Sequence, residues 1–350
     1  MKGTLLYRLL IYCSLFFAVL FTNQISAQDF HFSQMKYSPL SVNPSLAGLN
    51  GKYNAIANYR TQWNSVASPY TTLGASFDAN FNHPSNRTGF LALGVNFYHD
   101  VAGDLNMTTS NVNLNLAYHI RIDRTSTFGL GVQFGYAQRG IDQVNGLFAS
   151  QYDGSDFDPA ISSGESFGNS NFGYVDAGGG FVYKHNSLSQ NSFRSDGFIF
   201  TAGAAAYHLV RPDYSFIQGG NEDLSIRYSG FIDAEFTLNG SRFNLMPALY
   251  YHRQGSSQEI LGGTYIKYQI IQSTTRTSFR NDFSISYGAF YRFQDAFVNK
   301  LIIDFSGFAI GIAYDVNVSS LTQASRGRGG VEFMFRYYLS DKLAGKSRIK

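Results

Sequence analysis

The residues of this 350-residue chain with chemistry beyond packing are few: seven histidines, one cysteine and a cluster of carboxylates. Cys13 sits inside an apolar leader, so the chain beyond residue 27 has no thiol for a disulfide, a nucleophile or a thiolate metal site. His99, His119, His208 and His252 recur near the ends of alternating segments, after aromatic residues. No paired-histidine or histidine–carboxylate spacing marks them as metal ligands, and their positions suit polar residues in a membrane-interface girdle. Ser and Asp are plentiful, but no spacing brings a nucleophile and a base together. Catalytic residues, metal ligands and cofactors are therefore all expected to be none, and the chain is not expected to be an enzyme. The segment YDGSDFDPAISSGE gathers Asp153, Asp156, Asp158 and Glu165. Carboxylates this close can hold Ca²⁺, but their order does not follow an EF-hand, and a solvated acidic loop is the plainer reading. Trp63, the only tryptophan, follows Tyr59 and Arg60. It is either a girdle anchor or a docking aromatic, since Trp and Arg are favoured in interface hot spots.

The elements that must hold these residues are strands. In FGLGVQFGYAQ, Phe128, Leu130, Val132, Phe134 and Tyr136 alternate with Gly129, Gly131, Gln133, Gly135 and Ala137. The same period of two runs through Leu91, Leu93, Val95 and Phe97, and through Val331, Phe333, Phe335, Tyr337 and Leu339. A soluble sandwich also alternates, but three features favour a membrane barrel. The apolar faces run for about ten residues, enough to cross a bilayer at a tilt. The opposite faces are Gly, Ser, Asn, Gln and Arg, as a lumen would be. Tyr and Phe crowd the strand ends. With 35 Gly, 7 Pro and 15% charged residues, the composition argues against long helices.

The pattern predicts an all-β, up-and-down antiparallel transmembrane barrel of the outer membrane, with about fourteen strands between residues 52 and 340. Residues 1–27 read as a signal peptide: Lys2 and Arg8, the apolar run Leu9–Phe21, then small residues Ser26 and Ala27. Residues 28–51, with Pro39 and Pro44 in SPLSVNPSLAG, suit a periplasmic segment or a plug folded into the lumen. Residues 341–350 form a basic tail. The two ends carry the positive charge and the stretch between them is slightly acidic, so no nucleic-acid partner is expected.

With a periplasmic N-terminus, parity places the short turns at Asp123–Ser126 and Ser306–Gly307 in the periplasm. It places the long connections Gly140–Ser170, Val210–Glu222 and Val318–Gly327 at the cell surface. Tyr59, Arg60, Trp63, Asp100, Asp153, Asp156 and Asp158 are the candidate partner-binding residues. Gly131, on the lumen face, is expected to accept even arginine, whereas Leu130 faces lipid and is not.

Several motifs, in order along the chain, resemble one family. FHFSQMKYSPLSVNPSLAG (Phe30–Gly48) is similar to the mature N-terminal signature of the PorP/SprF outer-membrane proteins of the type IX secretion system. ANYRTQW with SPYTTLGASFD resembles their first hairpin. DVAGDLN, LAYH and IGIAYDVNVSSLTQASRGRGGVEFMFRY complete the match. The departure is the basic tail, where many outer-membrane barrels end on an aromatic. The resemblance implies a non-enzymatic accessory of export, gliding or surface docking. It would act on cargo proteins such as adhesins through their C-terminal sorting domain, alongside periplasmic, peptidoglycan-associated components, in contact with outer-membrane lipid. The alternative is a pore or transporter for a small solute.

Overall fold

The computed structural model describes residues 29–339 apart from 64–67, 82–87, 143–147, 159, 163, 165–169, 188–196, 217–221, 238–240, 272–281 and 320–321. The expected signal peptide and basic tail lie outside the described residues, as do Glu165 and most of the two longest turn-side connections.

Fourteen strands form one closed antiparallel barrel among these residues. They are β1 (Tyr53–Gln62), β2 (Tyr70–Asn80), β3 (Gly89–Ala102), β4 (Met107–Arg121), β5 (Ser126–Gly140), β6 (Asn171–Asn186) and β7 (Gly197–Tyr207). The second half comprises β8 (Arg227–Thr237), β9 (Phe243–Gln254), β10 (Ser257–Ile271), β11 (Phe283–Arg292), β12 (Ala296–Phe305), β13 (Phe308–Asn317) and β14 (Arg328–Leu339). Each strand pairs with the next, and β1 closes onto β14 from Tyr53 opposite Leu339 to Thr61 opposite Val331. Closure gives every strand two neighbours, which a sheet in hydrocarbon requires. The strand edges agree with the alternation to within a few residues. Before β8, Asp223 bridges Asp213 within the preceding loop, so the strand begins only at Arg227.

The alternation sets the facing as expected. Leu130, Val132, Phe134 and Tyr136 are exposed on the outer wall, and Gly131, Gln133 and Ala137 are buried inside. At Ser306 and Gly307 both residues have positive φ (48° and 92°), the two-residue turn whose twist matches that of the flanking strands.

Fourteen strands enclose more space than short inward side chains fill. Residues 29–50 fill much of it. They form three single helical turns, Met35–Tyr37, Pro39–Val42 and Pro44–Leu46, the last two each opened by a proline whose fixed φ suits a first helical position. The Asn43 side chain caps the third turn by accepting from the Ser45 N–H at 2.9 Å. Gly48 then turns the chain with φ of +65°, its Cα so close to Ala92 and Asn80 that a Cβ would stand 2.5 Å from the Ala92 Cβ.

The path of this segment places Asp29, the first described residue, at one end of the barrel. Asp29 contacts Gln254, at the end of β9, and His208, just beyond β7. It therefore lies at the same end of the barrel as the long connections, not at the short-turn end. The chain runs down the lumen, and Gly48 meets Asp78 near the opposite rim before β1 turns back. Strand parity has to be counted from Tyr53, and that count is unchanged.

Candidate functional site

Single charged residues in the inward register of otherwise uncharged strands build the upper lumen. Arg60 of β1, Arg292 of β11 and Asp315 of β13 meet there, with Asp315 2.9 Å from Arg60 and 3.0 Å from Arg292. Arg292 also lies 2.9 Å from Glu259 and 2.9 Å from Asp295. The inner segment threads through this cluster. Ser33 donates through its hydroxyl to both Asp315 oxygens at 2.9 Å and accepts from Arg292 at 2.6 Å. The Ser33 and Gln34 N–H groups donate to Glu332 at 2.6 and 3.2 Å, and Arg60 donates to the His31 carbonyl at 3.0 Å. Charges this deeply buried hold only when paired and hydrogen-bonded, so the cluster binds segment and wall to one another. The buried Lys300 ammonium packs 3.6 Å from the centre of the Phe290 ring.

Lower down, apolar and polar contacts alternate. Met35, Val42 and Leu46 enter a core with Ile56, Phe231 and Met246. Lys36 pairs with Asp233 at 2.7 Å, and Asn43 donates to the Phe181 and Ala204 carbonyls at 2.9 and 3.1 Å.

This arrangement corrects the reading of the histidines as girdle residues. His119 is fully buried and bonded to the Ala47 carbonyl at 2.8 Å, and the His252 ring lies 3.3 Å from the Met35 sulfur. His208 lies between Asp29 at 2.6 Å and Asp176 at 2.8 Å. Three of the four therefore touch the inner segment, while His99 bonds Ser110. Burial would depress the His208 pKa, but the Asp29 and Asp176 carboxylates outweigh it and push it up to about 9. Burial would raise the Asp29 pKa, yet His208 and Arg227 hold it well below the usual carboxylate range. Burial, with Arg60 and Arg292 nearby, holds His31 well below the usual histidine value, so it is neutral.

A raised histidine pKa contributes stability that is complete below the unfolded value near 6.5 and is lost as pH rises through the folded value. The Asp29 end of the segment should therefore stay protected at pH 7 and loosen as pH passes about 9. Hydrogen exchange of residues 29–35 at pH 7 and pH 10, corrected for intrinsic rates, checks this. Equal protection at both would show that His208 does not hold the end.

Above the segment lies a cavity of about 560 Å³, within the usual range of ligand sites. Its floor is Asp29, Phe30 and His31, and its wall is the loop-side ends of strands from around the barrel. A second cavity of about 260 Å³, lined by Lys36, Lys184, Lys267, Asp233, Glu235 and Arg336 among others, opens toward the short-turn end.

The candidate residues separate on this frame. Tyr59 is exposed on the outer wall, opposite Leu73 and Phe333. Arg60, one residue on, points inward and is committed to Asp315 and His31. The pleat thus splits the expected patch, since successive side chains face opposite sides. Trp63 packs edge-on against Tyr70, centroids 4.5 Å apart, and both line the upper cavity. Asp100 lines it too and accepts from Thr72 at 2.6 Å. Asp153, Asp156 and Asp158 stand apart on an exposed loop. Asp153 accepts from the Ser155 and Asp156 N–H groups, and Asp158 from that of Ala160. Asp156 accepts from the Phe157 N–H, so each carboxylate is engaged within its own loop, and among the described residues no three His, Cys, Asp or Glu side chains converge as metal ligands.

Comparison with known proteins gives one family. A family model described as type IX secretion system membrane protein PorP/SprF matches residues 24–337. No curated protein matches the chain. Among solved structures, CymD, a monoaromatic hydrocarbon channel, superposes with a TM-score of 0.42 at 10% identity, covering 90% of this chain and 95% of that one. BamA from Haemophilus ducreyi lacking POTRA domains 1–3 gives 0.40 at 9% identity, covering 82% and 70%. CdiB from Acinetobacter baumannii gives 0.39 at 8% identity; 82% of this chain is covered, and it spans only 60% of the length of CdiB.

Proposed function

Because the chain belongs to the PorP/SprF family of type IX secretion system membrane proteins, we propose that this outer-membrane barrel is a non-enzymatic accessory that docks cargo proteins at its long-loop mouth. The cargo would be engaged through its C-terminal sorting domain, for export, for surface retention or for both. The observation that carries this reading is the occupied lumen. Residues 29–50 run its length and are tied to β1, β6, β7, β8, β11, β13 and β14 by hydrogen bonds and ion pairs. A solute pore would need that segment to leave, against a buried charge cluster that loses its partners when it goes. A docking platform needs only the mouth. Long loops are the usual extracellular side of bacterial barrels and short turns the periplasmic one. We therefore assign the long-loop mouth to the cell surface and the short-turn rim to the periplasmic components of the system.

Deleting the gene should leave one or a few specific proteins missing from the cell surface while general secretion continues, as surface proteomics would read. An unchanged surface profile sinks the docking role. An epitope after Gly154 should be labelled on intact cells and one after Asp123 should not. The reconstituted protein should show little conductance; a steady, solute-selective current would favour the pore.

A further inference from the structure

Arg139 differs from the other two fully buried arginines among the described residues, Arg60 and Arg292. Each of those two faces a carboxylate within 3.0 Å. Arg139 is buried too, yet it faces none among the described residues. Its guanidinium is stacked beside the Tyr214 and Phe216 rings, 4.0 and 4.8 Å from their centroids. Two N–H groups are used, one donating to the Tyr214 carbonyl and one to the Met107 thioether, a weak acceptor. The rest of the fork has no acceptor among the described residues, and the side chain lines the upper cavity. A second orphan stands beside it. Asn111 also lines the cavity, and its carboxamide oxygen is buried without a hydrogen-bond partner. The ladder pairs Thr109 with Arg139 and Asn111 with Ala137, so Asn111 and Arg139 are diagonal neighbours on the inward face of β4 and β5. Such neighbours lie about 7–8 Å apart at the backbone, within reach of long side chains.

We propose that this corner of the vestibule is a receptor for a peptide α-carboxylate: Arg139 takes the carboxylate, and the Asn111 carboxamide, turned so that its oxygen faces the cavity, accepts the N–H of the terminal residue. A chain terminus is the group that presents both at one end. A planar guanidinium held by stacked rings is pre-organised for a planar carboxylate. Asp29, Asp100 and Asp295 line the same cavity, and their charge disfavours a phosphate dianion more than a carboxylate monoanion. Trp63, Tyr70, Tyr174 and Tyr214 supply aromatic wall for the side chain of that terminal residue. The proposal rests on the docking role and sharpens it, because it makes the free end of a docked chain the feature recognised.

Trp63 is the sole tryptophan and lines the cavity, so its emission reports occupancy in the full-length protein in detergent or nanodiscs. The probe is hippurate, one peptide bond ending in an α-carboxylate, against hippuramide and phenyl phosphate. Hippurate should shift Trp63 emission saturably, with hippuramide weaker by about tenfold to a hundredfold, the value of a charge-assisted hydrogen bond. Arg139→Gln should abolish that discrimination and Arg139→Lys should keep part of it, both variants first shown to fold by the heat-modifiable mobility of the barrel. Equal binding of acid and amide overturns the proposal, as does discrimination that survives Arg139→Gln. Tighter binding of phenyl phosphate than of hippurate overturns it in favour of a phosphate site. In cells, loss of surface cargo on gene deletion but not with Arg139→Gln would leave the docking role standing and sink the carboxylate receptor. Discrimination in vitro with no cargo change on deletion would do the reverse.

Discussion

Gly131→Arg is expected to keep the inner segment from seating, although the position faces the lumen. A Cβ on Gly131 would stand 2.4 Å from the Ser45 nitrogen, 2.5 Å from its Cα and 2.7 Å from the Pro44 carbonyl carbon. All three are backbone atoms of a proline-opened, asparagine-capped turn, so none can rotate away. Overpacking of this kind costs about 1–3 kcal/mol for a few extra methylenes, and arginine adds a charge besides. Leu130→Arg, one residue earlier, places its charge on the exposed outer wall, where about 2–4 kcal/mol is lost near the bilayer midplane. The two failures should look different. Leu130→Arg should lower the heat-modifiable folded fraction of the barrel. Gly131→Arg should leave a barrel whose residues 29–50 are cut by added protease. Gly179→Ala is the control: the nearest atom to its Cβ is the Gly131 carbonyl oxygen at 3.6 Å, and its effect should stay within about 0.5 kcal/mol. Full protease resistance of the segment in Gly131→Arg would show that the turn can yield.

Asp315→Ala should be the most destabilising polar substitution in the barrel. It leaves the Arg60 and Arg292 guanidiniums, 1% and 4% exposed, without their shared carboxylate, and it removes the acceptor of the Ser33 hydroxyl. Breaking a buried pair from one side costs about 3–5 kcal/mol, because the surviving charge stays desolvated. Asp315→Asn keeps a hydrogen-bond acceptor for Ser33 and loses only the charge, so the difference between the two variants separates charge from hydrogen bond. Denaturant titration in lipid vesicles measures both, and a cycle with Arg60→Met gives the coupling. A cost below about 1 kcal/mol for Asp315→Asn, the size of a solvated surface pair, would mean that water reaches the cluster.

The barrel wall was legible in the sequence because strand facing is a local property. Leu130 and Gly131 point to opposite sides whatever the rest of the chain does, and a ten-residue apolar face already states the thickness it must cross. The number of strands, their antiparallel order and the family motifs came from the same rows of residues. The contents of the lumen were not legible there. Arg60, Arg292, Asp315 and Glu332 come from strands at opposite ends of the chain, and Asp315 reaches Arg60 only because β1 closes onto β14. A lone charge in the inward register, such as Glu332 between Val331 and Phe333, was the one available sign, since ionisable groups at membrane depth need a partner. Residues 29–50 have no periodicity that names a partner, so only the closed barrel decides that Gly131 receives Ser45, that His119 receives Ala47, and that Asp29 rises to the long-loop mouth. Period-two alternation is fixed by backbone sterics within a few residues, whereas the occupant of a lumen is fixed by which side chains closure brings round it.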